Sequence, residues 1–165
     1  VKHQAEEEGL DAIFREAVVC IEPGTLAHRE IARPDAPITS GIADMVLSDR
    51  SRSAEPGALT VTQRLGNWLA TELIAAAIGH RYHDMGPFRA IRWTSLMSLD
   101  MQDPTWGWNV EMQMKAVHGG LRVMEMPLPY RRRHKGRSKI SGSVQGAARA
   151  GVRIILAVHR YRRPG

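Results

Sequence analysis

Apolar residues recur at helical spacing in three long stretches of the chain. Between Leu59 and Ile78, the residues Leu65, Trp68, Leu69, Leu73 and Ala77 fall on one stripe, which predicts a buried helix face. Thr60 or Thr62 is placed to cap its start, and Gly79 stands past its end. Arg64 and Asn67 lie off the stripe and face either a site or water. A second helix is predicted over Gly107–His118, with Val110, Met114 and Val117 in phase and Gly119-Gly120 as the stop. Glu111 and Lys115, four residues apart, read as a surface ion pair. The third helix, Ser143–Tyr161, carries Val144, Ala148, Val152, Ile155 and Val158 on one face and Arg149, Arg153 and Arg160 on another. Such a basic amphipathic helix suits either an anionic membrane surface or a core contact with one wet face. Shorter helical pieces are expected at Gly9–Val18, Thr25–Ile31 and Thr94–Leu99, and strands at Ala43–Leu47, Phe88–Arg92 and Leu121–Pro127.

Three polar stretches between these elements carry candidate chemistry. In His83–Arg92 an acid, Asp84, precedes the turn signal Gly86-Pro87 and a short run with two arginines. Asp84 is either a general base or a structural carboxylate pinned by Arg89 or Arg92. Ser48–Gly57 reads as a polar loop in which Arg50 and Arg52 meet an anion or water. Tyr130–Lys139 is a basic loop able to hold a diphosphate or a lipid phosphate.

Charge sharpens this picture. The 165 residues carry a net charge of +6, and the span from Arg131 to Gly165 holds eleven Lys or Arg residues without one Asp or Glu. That asymmetry predicts an anionic partner at the C-terminal end. Nucleic acid is one candidate, but no recognition motif is present and only three Tyr and two Phe are available for stacking. The single Cys20 excludes an intramolecular disulfide and a cysteine zinc site. No signal peptide is expected from the polar, acidic first residues, and no apolar run is long enough to span a bilayer.

The runs ADMVLSDRS, EPGALTVTQRLGNWLATELI, HRYHDMGPFRAIR, GWNVEMQMKA, GLRVMEMPLPYRRR and KGRSKISGSVQGAARAG together resemble the C-terminal half of a family 2 glycosyltransferase, of the dolichyl-phosphate or polyprenyl-phosphate sugar transferase kind. The resemblance covers roughly residues 36 to 161. It divides the chain into a divergent N-terminal segment at 1–35, the C-terminal half of a GT-A domain at 36–142, and a basic amphipathic helix at 143–165. It implies an α/β chain with a partial GT-A fold, an incomplete, mostly parallel sheet with flanking helices. It implies hexose transfer from a nucleotide sugar of the UDP-glucose or GDP-mannose type to polyprenyl phosphate, by a cytoplasmic protein peripheral to the membrane. Asp84 matches the acid at the acceptor-activating position, and Arg89 the arginine of the same D-x-G-x-F-R motif. Arg50 matches the arginine of the family's G-S-R. Arg64 and Asn67 match the Q-R-x-G-N helix start near the acceptor phosphate, and Arg131, Arg133, Ser138 and Lys139 the phosphate-clamping loop. No nucleic-acid partner is implied.

Two departures from the pattern stand out. Ser48-Asp49-Arg50 replaces G-S-R and sets an acid beside an expected anion. The family's N-terminal motifs, including the D-x-D that would hold Mg or Mn, have no counterpart in residues 1–35. The chain therefore resembles a truncated or frame-altered member, or one piece of a split enzyme whose missing half another chain supplies. Without carboxylates for a metal, the charge of a leaving diphosphate is only partly neutralised, so weak or absent transfer by this chain alone is expected. The alternative is a non-catalytic basic protein that binds a membrane surface or nucleic acid.

Overall fold

The computed structural model describes residues 17–20, 35–86, 88–104, 107–127, 130 and 144–163. Four strands form one sheet: β1 (Ala17–Cys20), β2 (Met45–Asp49), β3 (Arg89–Arg92) and β4 (Val123–Pro127), in the order β1-β3-β2-β4. Five helices accompany them among the described residues: α1 (Ala36–Thr39), α2 (Val61–Ile78), α3 (Trp93–Ser98), α4 (Trp108–His118) and α5 (Val144–Tyr161).

The two central strands are covered on both sides, and the period of two decides which side chain goes where. Met45, Leu47 and Ile91 join the main core with Ile74 of α2, Val110, Met112 and Met114 of α4, and Ala157, Val158 and Tyr161 of α5. Val46 and Ala90, one residue out of phase, pack on the opposite side with Ile38 of α1, Ala43, Met124 and Met126. Helices α2, α4 and α5 thus roof one face, while α1 covers part of the other.

The expected mostly parallel sheet is mixed among the described strands. Only β2 and β4 pair in parallel, whereas β3 runs antiparallel to both β2 and β1. Strand β2 also runs two residues beyond the expected Ala43–Leu47 and takes in Ser48 and Asp49. The Ser48 amide donates to the Phe88 carbonyl at 3.0 Å, and Ser48 and Asp49 pair with Met126 and Pro127 of β4, so the ladder carries polar residues the pattern leaves in a loop. The expected helix at Gly9–Val18 is corrected at its end: Ala17 and Val18 pair with Arg92 and Ile91 as strand. Val18 and Val19 are β-branched, and the edge of β3 gives them a partner. Residues 9–16 and the expected Thr25–Ile31 helix lie outside the described residues.

Helix α2 forms as its caps dictate. Thr60 and Gln63 make a reciprocal capping box, and Gly79 ends the helix in the left-handed conformation at φ 72°. The expected stripe holds only toward the C-terminal end, where Leu73 and Ala77 pack against the core. Ala70, Thr71 and Ile74 are buried, while Leu65 and Trp68 are 60% and 58% exposed and Leu69 also faces solvent. The helix is apolar on more than one side, so periodicity alone does not say which side meets the sheet. Helix α5 is similar: Val158 of the expected face is buried together with Ala157 and Tyr161, but Val152 and Ile155 of that face are exposed. Glu111 is another correction. It does bond Lys115 at 2.9 Å, yet it is fully buried and accepts the Gln102 and Asp103 amides at 2.7 Å each, tying down the segment before α4.

One polar cluster closes the far end of the sheet. Asp44 accepts from Arg122 through Nε at 2.9 Å, Nη2 at 2.8 Å and the backbone amide at 3.0 Å, with Arg92 at 3.7 Å. The bonds from Arg122 outweigh burial and hold the Asp44 carboxyl at about 2. Because this value lies below the ordinary carboxylate range, the stabilisation is complete above that range and fades as pH falls toward 2. Asp44→Asn should cost about 1 kcal/mol at pH 7, solvent around the exposed Arg122 head limiting the effect. Urea denaturation should show that difference shrinking as the pH approaches 2; a constant difference would contradict the assignment.

Candidate functional site

The end of β2 and the segment between α2 and β3 meet at Asp84. Its carboxylate is 1% exposed. It accepts from Arg50 three times: from the backbone amide at 2.8 Å, from Nε at 2.7 Å and from Nη2 at 2.9 Å. Arg50 also lies over the Tyr130 ring, its guanidinium carbon 5.3 Å from the ring centre. Burial alone would lower the pKa of the Arg50 guanidinium, but the Asp84 carboxylate outweighs it and the net displacement is upward. Asp84 is therefore pinned by a cation, but by Arg50 rather than by the Arg89 or Arg92 that its sequence neighbourhood suggests. Arg92 instead reaches Asp44 and donates to the Ile38 carbonyl at 2.6 Å.

Arg89 lies beneath this site, not on its surface. It is fully buried on the helix side of β3, donates to the Gly86 carbonyl at 2.8 Å and sits over the Trp108 ring at 5.9 Å. It thus ties the Asp84 segment to the start of α4, and burial removes it from direct contact with an incoming phosphate. Asn67 reaches the same segment from α2: its Oδ1 accepts the Met85 amide at 2.7 Å and its Nδ2 donates to the His83 carbonyl at 3.3 Å. Arg64, one turn earlier on α2, is exposed. The segment is anchored further back by Tyr82, whose hydroxyl donates to the Gln113 carbonyl at 2.8 Å; burial pushes the Tyr82 phenol up.

The acid that departs from the G-S-R pattern is taken up locally. Asp49 is buried, accepts the Ser51 amide at 2.9 Å and lies 3.4 Å from Arg52 Nε, so its charge is spent on its own turn. The loop after it is joined to Tyr130: the Glu55 backbone amide donates to the Tyr130 carbonyl at 3.0 Å, and Ala54 bridges Tyr130 in parallel. Tyr130, which immediately precedes the basic run in sequence, thus stands beside Arg50. Arg131, Arg133, Ser138 and Lys139 themselves lie outside the described residues.

The structure thus brings Asp84, Arg50 and Asn67 together, places Arg89 under them and leaves Arg64 on the exposed helix start. Two participants escape the sequence reading. Tyr130 carries the cation contact, and Glu125 of β4 accepts from the His83 and Asp84 amides. An available signal for Glu125 is an acid set inside the apolar run Val123-Met124-Glu125-Met126. For a divalent ion the fit is poor. Among the described residues no three His, Cys, Asp or Glu side chains cluster to hold a metal, and Arg50 occupies both oxygens of Asp84.

Gly86 shows how tightly the segment is set against β2. A Cβ there would collide with both Oγ and the carbonyl oxygen of Ser48. Gly86→Ala should therefore destabilise the fold by about 1–3 kcal/mol in urea denaturation. Adding Ser48→Ala should restore little of it, since the carbonyl remains. Full recovery in the double variant would show that only the hydroxyl was in the way.

The chain is similar to proteins named as glycosyltransferases. It is 37% identical over 65 residues to an uncharacterized glycosyltransferase of Mycobacterium bovis and, equally, to one of Mycobacterium tuberculosis, a match covering 39% of this chain and 30% of each relative. It is 26% identical over 114 residues to the glycosyltransferase AglJ of Haloferax volcanii, covering 68% of this chain and 37% of that protein. The matches thus span 30 to 37% of the length of these curated relatives. No family model and no solved structure matches the chain. These likenesses support a glycosyltransferase.

Proposed function

We propose that the chain is the acceptor-side part of a family 2 glycosyltransferase of GT-A fold, moving a hexose from a nucleotide sugar of the UDP-glucose or GDP-mannose type to polyprenyl phosphate at a membrane surface. The observation that carries this reading is the Arg50–Asp84 pair, a cation and an acid fixed by three hydrogen bonds beside Tyr130, which precedes the basic run in sequence. In the proposed reaction an acceptor phosphate oxygen bonds to the sugar C1, the C1–O bond to the diphosphate breaks, and the nucleoside diphosphate leaves. A phosphate monoester has a second ionisation near about 6, so at neutral pH the acceptor is mostly a dianion. It then needs orientation and charge compensation more than deprotonation. Arg50, preorganised by Asp84, supplies the cation. Asp84 acts through that cation, both of its oxygens being engaged in holding Arg50.

The exposed apolar residues support the membrane part of the proposal. Val61, Leu65, Trp68 and Leu69 lie on exposed positions of α2, and Val152, Ile155 and Leu156 on α5, which packs against it. Exposed Arg64, Arg153 and Arg160 accompany them, and the described part of α5 holds no acid. Apolar side chains flanked by arginines suit the headgroup region of an anionic bilayer. No described helix is long and apolar enough to cross a membrane.

The test has two arms. The chain should sediment with vesicles containing anionic lipid, and Leu65→Asp with Trp68→Asp should weaken that binding by about tenfold or more, while equal binding by both forms would remove the membrane part. In a transfer assay with radiolabelled UDP-glucose or GDP-mannose and polyprenyl phosphate, the chain is supplied with the N-terminal half of a family 2 enzyme. Turnover should fall at least about 100-fold with Asp84→Asn. Turnover indifferent to that change would contradict the role given to Asp84.

A further inference from the structure

The backbone on either side of Asp84 belongs to no helix or strand, yet four of its polar groups are bonded to just two side chains. Asn67 takes the His83 carbonyl and the Met85 amide. Glu125 takes the other two from the opposite direction. Its Oε1 accepts the His83 amide at 2.9 Å and the Asp84 amide at 3.2 Å, while Oε2 accepts the His83 amide at 3.1 Å and lies 2.7 Å from His83 Nδ1. Glu125 stands on β4, whose ladder to β2 sets it opposite Leu47, two residues before Asp49. Holding the Asp84 amide fixes the direction in which the Asp84 side chain leaves the backbone, and that direction is the one that meets Arg50.

We propose that Glu125 is a positioning residue: by clamping the His83 and Asp84 amides from β4 it aims the Asp84 carboxylate at Arg50, and so sets the cation that receives the acceptor phosphate. The functional half of this inference rests on the glycosyltransferase reading; the structural half does not. Glu125 makes no direct bond to Arg50 in this geometry, so an effect on Arg50 must pass through Asp84.

The experiment follows the Arg50 Nε–H signal by NMR in Glu125→Gln, Glu125→Ala and the control Glu72→Ala, which removes a carboxylate from Arg81 in the same connection. In Glu125→Ala the Arg50 Nε–H should exchange about tenfold faster or more than in the parent, with a smaller change in Glu125→Gln and none in the control. Should Glu125→Ala not fold, Glu125→Gln decides. Faster exchange at the His83 and Asp84 amides with an unchanged Arg50 Nε–H would mean that Glu125 merely anchors a loop, which overturns the proposal. In the complemented transfer assay, Glu125→Gln should lower kcat by about tenfold or more with KM for the nucleotide sugar unchanged. An altered Arg50 signal with unchanged kcat would also overturn it. A parent protein without turnover on any donor would instead refute the glycosyltransferase reading, and the Arg50 signal would still decide whether Glu125 positions Asp84.

Discussion

Two opposite charges, a buried Asp84 and a largely buried Arg50, face each other at the end of β2. Taking both out of water costs several kcal/mol, about, for each ion, and their attraction offsets that only when the remaining hydrogen-bonding capacity is filled. Here it is largely filled. Asp84 accepts two guanidinium bonds and a backbone amide, and Arg50 lies over an aromatic ring. The pair joins segments 34 residues apart in the chain, and the rest of the site follows from keeping it in register. Asn67 and Glu125 hold the backbone beside Asp84, Arg89 supports that backbone from below, and Gly86 lets it approach β2 closely.

The same constraint reconciles a chemical difficulty in the sequence. An acid next to an anion-binding arginine would weaken the site if both faced the ligand. The structure separates the neighbours, because consecutive residues at the end of a strand point in different directions. Asp49 turns into its own turn, and Arg50 turns to Asp84. A carboxylate that orients a cation leaves that cation with a defined direction, which is what preorganisation toward a phosphate requires.

Much of the fold was legible in the chain. The helices over 61–78, 108–118 and 144–161 and the strands at 89–92 and 123–127 lie within two residues of their expected limits, since caps, glycine stops and periodicity are local signals. What stayed hidden depends on tertiary partners. Ser48 and Asp49 are strand only because β4 and Phe88 complete their ladder. Leu65, Trp68 and Leu69 are exposed although Leu73 and Ala77 of the same stripe meet the core, because Ala70, Thr71 and Ile74 form the buried face and composition does not single that face out. Glu111 and Glu125 look like surface acids by residue type, yet Glu111 satisfies backbone amides of the segment before its helix and Glu125 those of a segment 41 to 42 residues away. Within the candidate site, Asp84, Arg50 and Asn67 were readable from motif resemblance, whereas the inward placement of Arg89 required the strand's phase relative to α4.

If the Arg50–Asp84 pair organises the site, the two residues must be strongly coupled. A double-mutant cycle measures this directly, comparing the unfolding free energies of Arg50→Ala, Asp84→Ala and the double variant with that of the parent in urea. A coupling of about 2 kcal/mol or more is expected, with the double variant nearer the parent than the sum of the two single losses. A coupling near zero, with the losses adding independently, would contradict it.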